Sequence, residues 1–263
     1  MKRYKHERYR GRNRAKRRAL TALFCMIFLI GLTICFWPQI VGAHLGYQAH
    51  VAVSDFYEWA EHAGQSNVSF EYVDGPMYEP TPTAMPYPEL YQAMQEYNRQ
   101  IYASGQSGLC DAWAYQKASF DLTSYDVEEG AIGVISIPAM DVELPIYLGA
   151  TADNMAKGAV HLSQTSLPVG GINTNCVIAA HRGWYGAPYF RYIDVLTVGD
   201  EIHITTLWEE LVYTVSEIKV IEPSDINQIL IQDGRDMLTL LTCHPYASGG
   251  RYRYVVYCDR VSS

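Results

Sequence analysis

The spacing of apolar and polar residues divides the chain into stretches of different character. Ala19–Trp37 (ALTALFCMIFLIGLTICFW) is apolar without interruption and carries no charge over its 19 residues. As a helix it extends roughly 28 Å, against about 30 Å of bilayer hydrocarbon. Residues 40–62 then bring Phe56, Trp59 and Ala60, with Ala63, to intervals of three and four, which predicts a helical, membrane-proximal stalk. Residues 64–88, rich in Gly, Pro, Ser and Asn, predict an extended loop. Pro88 opens a second helix, PELYQAMQEYNRQIYA, with Leu90, Met94, Tyr97 and Ile101 on one stripe. Residues 104–130 follow no single period. From Ala131 the pattern shortens to strand-like runs: Gly133–Ile137, Val142–Tyr147, Asn175–Ala180, Glu201–Thr206, Leu211–Ile221, Met237–Cys243 and Tyr252–Tyr257. Short helices are expected over Asp153–Lys157 and Ser224–Leu230, the latter capped by Ser224. About eight short strands at this spacing predict a mainly β fold, an all-β barrel or sandwich with short helices.

Charge sharpens the reading of the N-terminus. Residues 1–18 hold ten basic residues and one acid, Glu7, leaving 10 basic and 27 acidic residues for the rest, a net charge of −17. An ectodomain this acidic repels phosphate backbones and excludes nucleic-acid binding. The basic block in front of Ala19–Trp37 is expected to stay cytoplasmic, so the chain reads as single-pass with everything beyond about residue 40 outside the cell. A buried core helix is the competing reading, but core helices seldom run five turns without a polar residue. The segment is also too long for a typical signal-peptide core. The expected organisation is a basic tail (1–18), a transmembrane helix (19–37), a membrane-proximal helical region (38–130) and a β domain (131–263).

The candidate chemistry gathers at strand ends. MLTLLTC ends in Cys243, followed by His244 and Pro245, and Pro245 cannot extend a sheet ladder. VIAAH ends in His181, followed by Arg182 and Gly183. Arg251 and Arg253 share a parity at the start of the last run. A thiol, an imidazole and a cation at comparable places on three strands suit nucleophilic acyl transfer. Each also has an ordinary structural reading, as a small core thiol, a satisfied histidine or a solvated arginine. Neither CxxC nor zinc-ligand spacing occurs, and no cofactor or metal is expected, although His181, Cys243 and His244 would be the residues to hold one. His161 is expected to be a structural hydrogen-bonding residue. Cys176 and Cys258 are candidates for a disulfide, and Cys110 is given no role.

The motifs TLLTC (Thr239–Cys243), AAHRG (Ala179–Gly183) and RYVVYCDRV (Arg253–Val261) resemble those of sortases, the membrane-anchored cysteine transpeptidases of Gram-positive cell surfaces. VISIPAMDVELPIYLGAT (Val134–Thr151) and KGAVHLSQTSLPVGG (Lys157–Gly171) extend the similarity over residues 131–261. The resemblance implies an eight-stranded sortase-type barrel, with Cys243 as nucleophile and His181 as acid/base. It implies Arg253 as the stabiliser of the oxyanion or substrate, with Arg251 as the alternative, and the backbone N–H of His244 as a further oxyanion donor. The substrate is then an LPXTG-like sorting signal, and the acyl group passes to an amine.

HRG, TLLTCHPY and LPVGG are most similar to class C, the pilin-polymerising sortases, which implies a pilin lysine as acceptor. That class often carries a lid with an Asp-x-aromatic motif, and Asp111-Ala112-Trp113 fits in type and position better than Asp55-Phe56-Tyr57. The departure is that class C enzymes often have a second membrane span near the C-terminus, where this sequence ends at Ser263. The alternatives are a housekeeping-like sortase that attaches proteins to the cell-wall precursor and a non-catalytic surface barrel that binds peptides.

Overall fold

The computed structural model describes residues 2–65, 85–125, 127 and 130–261, with side chains throughout these except at 2–15, 64 and 65. Helix α1 runs unbroken over Lys2–Gln65. Its apolar stretch meets the length and composition needed to cross a membrane, and none of that stretch is buried among the described residues. The core-helix reading of Ala19–Trp37 therefore fails. Beyond Val41 the same helix turns inward-facing side chains onto the barrel. Ala49, Val53 and Phe56 are buried there, and burying Phe56 alone contributes on the order of 2 kcal/mol. The segment expected as a stalk is thus packed against the domain it was to hold away from the membrane. Most of the loop expected over 64–88 lies outside the described residues.

Helix α2 occupies Pro88–Ser104, with Pro88 at its first turn and Gly105 in the left-handed region closing it. Leu90, Met94 and Ile101 are buried as their stripe requires. Asn98 joins them, because its amide satisfies both backbone groups of Leu167, donating to the carbonyl at 3.1 Å and accepting from the N–H at 2.7 Å.

Eight strands close into a barrel: β1 (Ala131–Ile137), β2 (Val142–Leu148), β3 (Ala159–His161), β4 (Thr174–Ala179), β5 (Glu201–Thr205), β6 (Glu210–Ile221), β7 (Asp236–His244) and β8 (Tyr252–Arg260). The order around the barrel is β1-β2-β3-β4-β7-β8-β6-β5. Closure leaves β8 paired on both sides, to β7 and β6, which carries it to Arg260, beyond the expected end at Tyr257. Helix α3 (Ala152–Lys157) provides the crossover that lets β3 lie parallel to β2. The helix expected over Ser224–Leu230 shrinks to a 3-10 turn, Ile226–Ile229, and Asp225 rather than Ser224 precedes it.

The strands around β7 have two apolar faces. Leu238 and Leu240 point into the main core, while Met237 and Leu241 join a second cluster with Val177, Ala179 and Val255. Leu109 and Ala112, from the segment before the barrel, cover that second cluster. Cys176 and Cys258 are free, buried thiols. Each is paired to Leu238 from opposite sides, which separates them by two strand spacings, about 10 Å, too far for a disulfide. His161 is buried, and its Nε2–H donates to the Ser166 carbonyl at 3.0 Å.

Candidate active site

Three strands deliver their ends to one rim. Strands β4 and β7 are parallel, with Ala179 beside Leu241, so two residues further on His181 draws level with Cys243. Strand β8 returns antiparallel to β7 and sets Arg253 directly opposite Cys243. Paired residues project from the same face, so thiol and guanidinium share a side, with Arg253 Nη1 3.8 Å from Cys243 Sγ. Thr242 ties the two parallel strands together at this point, its hydroxyl donating to the Ala180 carbonyl at 2.7 Å.

Arg251 lies just outside β8 and is exposed, whereas Arg253 is buried. The shared parity of the two arginines ends where the strand begins. Gly250, with φ at 81°, makes room for the pair: a Cβ there would sit 3.2 Å from Cys243 Sγ and 3.1 Å from Arg253 Nη1.

The segment before the barrel packs against this rim through Asp111 and Trp113. Asp111 holds Arg253 through two parallel bonds, from Nε at 2.6 Å and Nη2 at 2.7 Å. The remaining nitrogen, Nη1, donates to the carbonyls of Gly250 at 2.7 Å and Tyr252 at 3.1 Å. Asp111 also accepts the Trp113 N–H at 3.2 Å, capping the 3-10 turn Ala112–Ala114. That turn lays the Trp113 ring 4.4 Å from the Arg253 guanidinium and 6.2 Å, edge to face, from the His181 ring. Asp111 thus binds Arg253, while Trp113 lies against Arg253 and His181 and packs on the second apolar cluster.

Burial governs the ionisation of the closed site. It pushes the Cys243 thiol up to about 11; Arg253 and Arg182 pull it down and Asp111 pushes it further up. Burial also lowers His181 below the usual imidazole value. Both shifts favour the neutral forms of thiol and imidazole.

A supporting layer escaped the sequence reading. Trp184 stacks on His181 with rings 4.3 Å apart and 9° from parallel. Arg182, almost fully buried, donates from Nη1 to His244 Nδ1 at 2.7 Å and pairs through Nη2 with Asp194 at 2.9 Å. Because Nδ1 accepts, the neutral His244 ring carries its proton on Nε2. Arg182 and His244 lay within the motifs already singled out, but the contact between their side chains did not show in them. Among the described residues, no three His, Cys, Asp or Glu side chains cluster to hold a metal ion.

The sortase domain family model matches residues 135–261. Sortase D of Bacillus subtilis (strain 168) is 32% identical over 163 residues, covering 61% of this chain and 76% of that protein. The chain belongs to the sortase family. Sortases are cysteine transpeptidases, and the solved structures similar to this one include class C members. Sortase C1 of GBS pilus island 1 aligns with a TM-score of 0.65 and 29% identity over 82% of this chain and 99% of its own. A lid mutant of Streptococcus agalactiae sortase C1 aligns with a TM-score of 0.59 and 32% identity over 67% of this chain and 90% of its own.

Proposed function

We propose that this sortase is a membrane-anchored, pilin-type transpeptidase with its N-terminus in the cytoplasm and its barrel outside. The observation that carries this reading is the level alignment of Cys243, His181 and Arg253 beneath a segment bearing Asp111 and Trp113. Sortase C1 of a pilus island shares the fold over most of both chains, and so does a lid mutant of Streptococcus agalactiae sortase C1. The basic residues before the apolar helix favour the stated orientation.

The chemistry follows from the geometry. Once the lid withdraws, His181 takes the Cys243 proton and the thiolate attacks the threonine carbonyl carbon of an LPXTG-like signal. Arg253, released by Asp111, stabilises the oxyanion. The imidazolium of His181 then gives its proton to the glycine nitrogen as the peptide C–N bond breaks, leaving a thioester. A pilin lysine amine attacks that thioester, His181 removes a proton from the attacking nitrogen, and the thiol is restored as the new amide forms. A second reading, attachment of proteins to a cell-wall precursor, differs only in the acceptor amine, and it is kept because the similarity extends to sortase D and is not confined to sortases C.

The test uses the full chain with an LPXTG-type peptide and two competing acceptors, a pilin-derived lysine peptide and a peptidoglycan stem peptide. Mass spectrometry is expected to find the acyl group on the pilin lysine. Preferential transfer to the stem peptide selects the second reading. Cys243→Ala is expected to form no product with either acceptor, and full transpeptidation by that variant removes the mechanism.

A further inference from the structure

The membrane helix touches the loop that follows His181 through backbone alone. A Cβ on Gly42 would lie 2.6 Å from the Gly186 carbonyl carbon and 2.8 Å from the Tyr185 oxygen. A Cβ on Gly186, whose φ is 96°, would lie 2.7 Å from the Pro38 oxygen. Pro38 directly follows Trp37, where the apolar run ends. From Trp37 to Gly42 an upright helix climbs only about 7.5 Å, and any tilt lowers that height. The headgroup layer on one side of a bilayer is about 5–8 Å deep. The loop that meets Pro38 and Gly42 is therefore at headgroup depth.

Its composition suits that depth. Residues 181–191 (HRGWYGAPYFR) contain no acid; Arg182, Tyr189 and Phe190 are buried, while Trp184, Tyr185 and Arg191 reach the surface. Tyr185 is 58% exposed and edge-on to Trp184 at 4.9 Å. The Arg191 guanidinium lies over Tyr246 at 4.7 Å and beside Tyr192 at 5.6 Å, both exposed. Tyrosine, tryptophan and arginine together are the residues that settle between hydrocarbon and water.

We propose that the loop Gly183–Ala187 is seated in the lipid headgroup layer through Tyr185, so that the rim bearing Cys243, His181 and Arg253 faces the bilayer and takes its peptide at the membrane surface. The inference rests on the reading of Ala19–Trp37 as a membrane span. Trp184 links the two, since it shares the loop with Tyr185 and stacks on His181. The opposite end of the barrel, where Ile172 is 74% exposed just before β4, then points away from the membrane.

The test places the photo-crosslinker benzoylphenylalanine at Tyr185, at Ile172 or at Phe28 of the full chain in phosphatidylglycerol–phosphatidylcholine nanodiscs, and scores lipid adducts by mass spectrometry. Positions 185 and 28 are expected to exceed position 172 by about tenfold. Gly42→Leu, which forces the helix off the loop, is expected to lower the yield at 185 and leave that at 28 unchanged. Adducts at 28 with none above background at 185 overturn the proposal while the span stands. Absence of adducts at 28 removes the span and the inference with it. Crosslinks from 185 to a second chain instead of lipid, or a yield at 185 indifferent to Gly42→Leu, also overturn it.

Discussion

Arg253 directs Nε and Nη2 at Asp111 and Nη1 at two backbone carbonyls, which occupies four of its five N–H groups. Its proposed role has Asp111 leave first, and a kinetic comparison has to allow for that. Arg253→Ala alone would strand the Asp111 carboxylate in a largely buried place, a cost unrelated to catalysis. In an Asp111→Ala background that complication is gone. There Arg253→Ala is expected to lower kcat by about 10²–10³, the usual loss for one oxyanion donor, while Arg251→Ala stays within a few-fold. Steady-state kinetics on the two double variants decides it, and the reverse ranking would transfer the role to Arg251. The choice between these arginines was open in the sequence because both share a parity. The structure separates them by place, because β8 begins at Tyr252 and only Arg253 lies inside the ladder, which favours Arg253.

The segment carrying Asp111 and Trp113 has no strong period of its own, and the family resemblance alone singled it out. Its contacts explain how three residues could act as a lid: the aspartate caps the turn that aims the tryptophan, and it binds the cation that the tryptophan covers. Removing both side chains admits water and takes a negative charge from beside the thiol, and each change lowers the Cys243 pKa from about 11. Asp111→Ala/Trp113→Ala is thus expected to speed iodoacetamide labelling of Cys243 at pH 8, about tenfold for each unit the pKa falls. Peptide mapping separates Cys243 from the other thiols, and unchanged labelling in a folded double variant rules the lid out. Other elements were legible to different degrees. The longer strands announced themselves through apolar runs bounded by turns. Strand β3 did not, because three residues are too few to establish a period. The docking of α1 on the loop after His181 was invisible, since a contact between two glycines leaves no hydrophobic signature.

At the scale of the whole molecule, one barrel carries the candidate site at one rim and fully buries a histidine outside that site, His161. The barrel and its rim could be anticipated from strand spacing and motif resemblance. The pairing of Arg182 with His244, 62 residues apart, could not, because it exists only once β4 and β7 lie side by side. His161 is fully buried, with Nε2 bonded to the Ser166 carbonyl and 3.2 Å from the Thr165 hydroxyl. Burial lowers it to about 4. A histidine whose folded pKa lies below its unfolded one takes up a proton more readily on unfolding. Its contribution is therefore complete above pH ~6.5 and is lost as the pH falls toward ~4. The slope approaches about 1.4 kcal/mol per pH unit, so some 2 kcal/mol should disappear between about pH 6.5 and 5, above the range where carboxylates titrate. His181 and His244 are shifted in the same direction and add to the slope. Urea unfolding of the full chain in detergent, followed by tryptophan fluorescence across that window, is expected to show stability falling with acidification. His161→Gln, which keeps an N–H donor and cannot titrate, is expected to flatten most of the fall; an unaltered slope would mean that His161 is not the group that links protonation to unfolding.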